Sequence, residues 1–229
     1  MRKIINYLLV FLVIPAFIIL GIVLLKAKQY AIVYIGAAIL ACVPFFLRFE
    51  TRKPESREIV LIAILTALSV ASRILFAEVP SIKPVTSIII ICAIAFGKET
   101  GFLIGSLTAL LSNIYFGQGA WTPFQMLAWG IVGFVAGMLR KTIFFKNIFG
   151  VLVYGLLAGF LYSVIVDIQT VLIAYRTFSF TKYFAVFVTS LPYTLTYSVT
   201  NVIFLLLLYK PLLKKLMRIK DKYNLYGDN

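Results

Sequence analysis

Long runs of apolar residues dominate this chain and decide what it can fold into. Most of them approach or exceed the roughly 17–25 residues that a transmembrane helix requires. Apolar residues make up 62% of the chain and charged residues 13%, whereas a soluble domain has about 25% charged residues. The sequence therefore predicts an all-α integral membrane protein of eight spans. The eight runs are Ile4–Leu25, Ala31–Leu47, Ile59–Phe76, Val85–Phe96, Gly101–Phe116, Trp121–Leu139, Ile148–Tyr175 and Tyr183–Tyr209.

Two of the runs are short for a membrane span. Val85–Phe96 has 12 residues, which form about 18 Å of helix, and Gly101–Phe116 has 16. Both are interpreted as spans because omitting either one disturbs the alternation of charge between successive loops. A short helix is tolerated in a membrane where neighbouring helices bury it beside a cavity.

The cationic residues predict the orientation. With both termini cytoplasmic, 16 of the 22 Lys and Arg residues lie on the inner side and five on the outer side, and Arg73 lies within a span. This asymmetry follows the positive-inside rule for multi-pass proteins. The formal net charge of +14 is thus interpreted as an orientation signal with added contact to anionic membrane lipids. We expect no nucleic-acid partner.

A charged, proline-bearing segment divides the chain. Residues 48–58 form a predicted cytoplasmic linker between an N-terminal transmembrane hairpin (1–47) and a six-helix ligand-binding bundle (59–212). Residues 213–229 form a basic cytoplasmic tail.

An uncharged polar loop between the fifth and sixth runs is the first candidate for ligand binding. Two glycines flank Gln118, so the backbone there can turn tightly and approach a ligand closely. Trp121, Gln125 and Trp129 follow at a spacing of four, which aligns an aromatic–amide–aromatic ladder on one helix face. Such a ladder suits a planar, hydrogen-bonding ligand, although an interfacial position also explains Trp121. The candidates here are Asn113, Gln118, Trp121, Gln125 and Trp129.

Polar residues in the last two runs add further candidates. Asp167 is the one carboxylate well inside a predicted span, and an acid buried in a membrane suggests a function. It either contributes to binding or forms a structural pair with Arg73, and the two roles are compatible. Tyr193 and Tyr197 lie one helical turn apart and are predicted to face an outer cavity. Asn201, a turn further on, is predicted to join helices instead.

Stripes of small residues mark helix faces that allow close approach. The glycine-containing stripes in the fifth and sixth runs are interpreted as internal packing. The alanine stripe in the third run is interpreted either as internal packing or as a docking surface for another subunit. The stripes are Ala63, Ala67 and Ala71, then Gly101, Gly105 and Ala109, and finally Gly130, Gly133 and Gly137.

The residues available for chemistry are few. The chain has no histidine and two cysteines, both within apolar runs, so we expect no metal site, no cofactor and no disulfide framework. An alternative function is a membrane-embedded enzyme acting on a lipid or isoprenoid, but such enzymes normally use several carboxylates or a nucleophile with its base. A third alternative is a channel or scaffold, although charged rings and filter loops are not apparent.

Several segments together resemble the substrate-binding (S) component of energy-coupling factor (ECF) vitamin transporters. The resemblance covers residues 57–215 and their six spans. It is carried by the order of three segments, which are Leu65–Arg73, Ile94–Gly97 and Gly101–Asn113. The two-helix hairpin at residues 1–47 departs from the family, whose typical members have six spans.

The resemblance implies a transporter subunit of the bacterial cell membrane with an outward vitamin pocket. It implies that small residues of the first bundle helix, here Ala63, Ala67 and Ala71, dock a transmembrane scaffold driven by two cytoplasmic ATPases. The chain itself lacks the G-x-x-x-x-G-K-[ST] phosphate-binding motif. The segment Phe116–Gly130 looks like the loop of cobalamin-type members, so we expect the ligand to be cobalamin or a precursor.

Overall fold

The computed structural model describes residues 30–51 and 54–225 of the chain. These residues form α-helices joined by short connections, with no strand among them. The first predicted span, Ile4–Leu25, and with it half of the predicted hairpin, lies outside the described residues. A 3-10 turn, Ile143–Lys146, precedes the sixth helix described. The helices are α1 (Tyr30–Thr51), α2 (Ser56–Leu75), α3 (Val85–Phe96), α4 (Lys98–Phe116), α5 (Thr122–Leu139), α6 (Ile148–Tyr175) and α7 (Phe180–Lys222).

Four of these helices, α2, α5, α6 and α7, are long and apolar enough to cross a membrane. The prediction of an all-α membrane fold is confirmed at this level. The count of eight spans and the cytoplasmic placement of the termini stay predictions, as does the division of the chain into hairpin, linker, bundle and tail.

The short helix α3 lies at the centre of the bundle. It packs against α2, α4, α5 and α7, and 11 of its 12 residues are buried. A helix that is buried on all sides is apolar all round, which explains its unbroken run of isoleucines, Ile88–Ile91. Gly97 then turns the chain into α4 with a φ of +101°, a conformation that favours glycine.

The glycine stripes of α4 and α5 face each other. A Cβ atom on Gly101 would lie 2.6 Å from the carbonyl oxygen of Gly133, and one on Gly105 would meet the carbonyl of Trp129. A side chain at either glycine would separate the two backbones. The interpretation of these stripes as internal packing is confirmed, and the close contact positions Trp129 firmly within α5.

The described half of the predicted hairpin, α1, packs mainly against α4 and α5. The ring of Phe45 stacks on that of Phe102 with 3.9 Å between centroids, and it meets Phe134 edge-on at 5.1 Å. α1 leaves the alanine stripe of α2 open, because Ala63, Ala67 and Ala71 are all exposed.

The last helix, α7, is much longer than the predicted span Tyr183–Tyr209. Its 43 residues extend about 65 Å, roughly twice the hydrocarbon thickness of a bilayer. The helix continues beyond the apolar run because lysine, leucine and methionine all favour helix. Its basic end, from Lys210 to Lys222, still contributes to the core, because Leu216 is buried there and Leu212, Leu213 and Ile219 pack against the same cluster.

Candidate functional site

A cavity of about 230 Å³ lies beside the N-terminal end of α3, at the end of the bundle that is predicted to face outward. We refer to it as the outer pocket. Five helices and the loop between α2 and α3 contribute to its wall. Because α3 is short, it does not fill the space beyond its first residue, Val85. The longer neighbouring helices enclose that space. The lining residues are Arg73, Ser81, Lys83, Val85, Trp129, Tyr162, Ser163, Tyr193 and Tyr197.

Three aromatic side chains from different helices form one continuous wall of this pocket. The ring of Tyr162 lies between those of Trp129 and Tyr197, with centroid distances of 5.1 and 5.2 Å. The indole N–H of Trp129 donates to the hydroxyl of Tyr197 at 2.9 Å and to Thr86 at 3.2 Å. A hydrogen bond also joins the Thr86 and Tyr197 hydroxyls. This wall offers flat apolar surface whose orientation is fixed by hydrogen bonds.

Arg73, in the last turn of α2, is buried at the side of the same wall. Its guanidinium carbon lies 4.5 Å from the ring centroid of Phe116 and 4.9 Å from that of Trp129. Its Nη1 atom donates to the Ser112 hydroxyl and, at 2.8 Å, to Oδ1 of Asn113. Aromatic faces and neutral acceptors therefore surround this buried cation.

Asn113 connects Arg73 to α5. Besides accepting from Arg73, its side-chain amide donates to Thr122 Oγ1 at 3.0 Å and to Gln125 Oε1 at 2.8 Å. Both amide hydrogens are thus used. The structure places Asn113 and Gln125 beside the outer pocket but not among its lining residues, so they orient the groups that line it.

The polar loop between α4 and α5 is organised around its own hydrogen bonds. Gln118 donates to the carbonyl oxygen of Leu110 at 2.8 Å and accepts from Thr122 at 2.9 Å. The Trp121 ring covers Gly119 and is 40% exposed. Neither Gln118 nor Trp121 lines the outer pocket. The predicted ladder is therefore divided, because Trp129 alone of its three members reaches the pocket.

Asp167 lies on α6 away from the pocket lining. Its carboxylate accepts a hydrogen bond of 2.8 Å from Ser190 on α7. No ion pair joins Asp167 to Arg73 in the part of the chain that the structure describes, so of the two alternatives for Asp167 the structural pair is wrong. The reason is that Arg73 faces α4 and α5, whereas Asp167 faces α7.

The loop before α3 adds a second cation to the pocket. The ammonium group of Lys83 donates to the carbonyl oxygens of Phe76 and Val79, at 3.2 and 3.3 Å. Burial lowers the pKa of Lys83 below its ordinary value, the nearby positive charge of Arg73 lowers it further, and Glu78 opposes the shift.

Six of the nine lining residues were not predicted from the sequence as binding residues: Arg73, Ser81, Lys83, Val85, Tyr162 and Ser163. The sequence did contain a signal for Arg73, because placing a single cation within an apolar membrane span costs free energy and therefore suggests a function. Tyr162 carried none, since its ring reaches the pocket only through the packing of α6 against α5 and α7.

The predicted Tyr193 and Tyr197 do line the pocket. Asn201 donates from α7 to the Gly155 carbonyl of α6 at 3.1 Å, as predicted.

The comparisons with known proteins agree with the architecture. The family model described as "ECF-type riboflavin transporter, S component" matches residues 53–215, which contain the whole outer pocket and the alanine stripe. No curated protein and no solved structure matches the chain. An S component is a transporter subunit and not an enzyme, so the alternative of a lipid-modifying enzyme is not favoured. Given a match over more than half of its length, this multi-pass membrane protein belongs to the ECF-type riboflavin transporter S component family.

Proposed function

We propose that the chain is the vitamin-capturing subunit of an ECF transporter and that its ligand is a flavin, with riboflavin as the first candidate. The observation that carries the proposal is the aromatic wall of the outer pocket, formed by Trp129, Tyr162 and Tyr197. Their centroid spacings of 5.1 and 5.2 Å are typical of aromatic contacts. A planar tricyclic ring fits such a surface, and the family match supports the same ligand class.

The size of the pocket also favours a flavin over cobalamin. The cavity of about 230 Å³ is smaller than most ligand pockets, which commonly measure about 300–1,000 Å³. A corrin with its nucleotide is far larger than a flavin and would require the outer loops to move apart. Cobalamin binding, which the loop Phe116–Gly130 suggests, remains a prediction and is included in the test below.

Uptake requires partners as well as a pocket. We propose that the exposed alanine stripe of α2 docks a transmembrane scaffold, which two cytoplasmic ATPases drive. Small residues allow helices to approach closely in a membrane, and the exposure of Ala63, Ala67 and Ala71 supports this use. The bundle would then tip within the membrane and release the vitamin inside, with both chain termini remaining cytoplasmic.

The decisive experiment is a calorimetric titration of the purified full chain in detergent with riboflavin and, separately, with cobalamin. We expect saturable one-to-one binding of riboflavin, accompanied by quenching of flavin fluorescence. Nanomolar affinity would correspond to about −12 kcal/mol. Binding of cobalamin with no binding of riboflavin would overturn the flavin assignment and restore the cobalamin prediction. No binding of either vitamin would contradict capture by this pocket.

A further inference from the structure

A groove lies between the first turns of α2 and the last turns of α7, at the end of the bundle that is predicted to face the cytoplasm. We refer to it as the inner groove. Its volume is about 370 Å³, within the range of about 300–1,000 Å³ that is common for ligand pockets. Val60 and Ile64 of α2 line one side and are 57% and 60% exposed, while Ile219 and Leu225 line the other. The inner groove is therefore an accessible apolar surface with walls from two helices.

The end of α7 is folded so that it closes one side of the inner groove. Asn224 adopts a φ of +47°, and the N–H groups of Asn224 and Leu225 donate to the carbonyl oxygens of Asp221 and Lys220, at 3.2 and 3.0 Å. These are the two hydrogen bonds of a Schellman motif, which ends a helix and brings the next apolar residue back against it. Leu225 is accordingly only 4% exposed. Backbone hydrogen bonds thus fix this wall of the groove.

The inner groove borders a polar cavity of about 630 Å³, and the two share the lining residues Ser56, Arg57 and Tyr223. Arg57 lies in both linings and is exposed. The ammonium group of Lys222 lies 5.2 Å from the ring centroid of Tyr223. Glu55 is the one carboxylate among the described residues that line the polar cavity. Two cations are therefore placed where the apolar space meets the polar one.

The surrounding part of α7 adds to this positive charge. From Lys210 to Lys222 the helix carries six cations and one carboxylate. Lys215 is exposed and lies four residues before Ile219, which places it on the groove side of the helix. Anionic phospholipids give the cytoplasmic leaflet a negative surface potential, and basic pockets between membrane helices at that surface bind their head groups. A groove with an apolar floor and a basic mouth matches both halves of such a lipid.

From this arrangement we infer that the inner groove binds one anionic phospholipid, with an acyl chain against Val60 and Ile64 and its phosphate beside Arg57 and Lys222. This site is independent of the vitamin, because it lies at the opposite end of α2 from the outer pocket. Val60 and Ile64 share a face of α2 with Ala67. The lipid would therefore border the surface that is proposed to dock the scaffold.

The test is native mass spectrometry of the purified full chain in detergent, with an equimolar mixture of phosphatidylglycerol and phosphatidylcholine that have identical acyl chains. We expect the wild-type chain to retain one phosphatidylglycerol, preferred over phosphatidylcholine at least about tenfold. Combining Arg57→Gln with Lys222→Gln should reduce this preference to less than about threefold. The matched control combines Lys141→Gln with Lys146→Gln, since both lysines are exposed and lie outside the groove on the same predicted surface. It should keep the wild-type preference.

A second pair of variants tests the apolar half of the site. Val60→Phe places a ring in the groove and should lower the retention of phosphatidylglycerol at least about fivefold. Ile59→Phe is its control, because Ile59 is 53% exposed at the adjacent position of α2 and does not line the groove. Thermal unfolding of every variant without added lipid reports any loss of folding.

Loss of the lipid preference in the groove variant alone supports the phospholipid site. Equal retention of the two lipids by the wild-type chain, or the same loss in the lysine control, would overturn it, because general surface charge would then explain the binding. Unchanged lipid retention in Val60→Phe would also overturn it, and an accompanying loss of uptake by the assembled transporter would assign the groove to a protein partner.

Discussion

The two faces of α2 are built in opposite ways. Toward its outer end, one face carries Arg73, a buried cation whose hydrogen bonds and aromatic contacts come from α4 and α5. The other face carries Ala63, Ala67 and Ala71, which are exposed and offer only methyl groups and backbone. One face is therefore ordered before any ligand arrives, whereas the other is exposed in the structure and has no polar network to order it.

In the proposed function, recognition and coupling share this helix but use separate contacts. A polar network in a low-dielectric site is stable only when its polar groups are hydrogen-bonded. Asn113 makes three of the hydrogen bonds of this network, one with Arg73, one with Thr122 and one with Gln125. Small residues impose no such requirement and allow close helix packing. Substitutions on one face should therefore affect ligand binding alone, and those on the other face should affect transport alone.

The largest effect is expected from Trp129→Ala. This change removes the centre of the aromatic wall and the donor to Tyr197. We expect riboflavin affinity to fall at least about 100-fold, equivalent to ~3 kcal/mol, as for other buried aromatic truncations. Calorimetric titration measures the change, and circular dichroism checks that the variant is folded.

Trp121→Ala is the matched control for that prediction. Trp121 is 40% exposed and lies over Gly119 outside the pocket, whereas Trp129 is 2% exposed. Riboflavin affinity should change by less than about threefold. Equal losses in the two variants would mean that the ligand binds at the outer loop instead of the outer pocket.

The next effect concerns the alanine face. Ala67→Phe adds a large ring where a partner helix is proposed to pack, so uptake by the assembled transporter should fall at least about tenfold. Riboflavin binding by the isolated chain should stay unchanged. Leu157→Phe, at an exposed position of α6, is the control and should preserve both activities. Loss of binding in Ala67→Phe would contradict the separation of the two faces.

A smaller effect is expected from Asn113→Ala. The substitution removes the oxygen that accepts a hydrogen bond from Arg73. It also removes the two hydrogen bonds that Asn113 donates to Thr122 and Gln125 of α5, so the guanidinium loses its fixed orientation. We expect about tenfold weaker riboflavin binding and a lower free energy of unfolding, by about 1–3 kcal/mol. Thermal and chemical unfolding followed by tryptophan fluorescence provides the second value. Unchanged binding would show that this network does not support the pocket.

Hydropathy alone predicted most of the helices. The runs Val85–Phe96 and Ile148–Tyr175 coincide with α3 and α6, because each is bounded by glycine, proline or polar residues. The end of α7 was not predicted, since helix propensity continues where hydrophobicity stops. The spacing of residues along one helix also identified Trp129, Tyr193 and Tyr197 as pocket residues.

The remainder of the pocket depends on contacts between elements that are distant in the sequence. Arg73 meets Asn113 across 40 positions, and Trp129 meets Tyr197 across 68. Periodicity within one helix contains no information on which neighbour a side chain will face. That is also why similar predicted depth was not enough to decide whether Asp167 pairs with Arg73, an alternative that the structure does not support.

The most direct test of flavin capture by the outer pocket is an experimental structure of the full chain with riboflavin bound. We expect the isoalloxazine ring to lie against Trp129, Tyr162 and Tyr197, with its side chain directed toward Arg73 and Lys83 and with the alanine face of α2 free of ligand. Density for the ring outside the outer pocket, whether in the loop around Trp121 or beside Asp167, would contradict it.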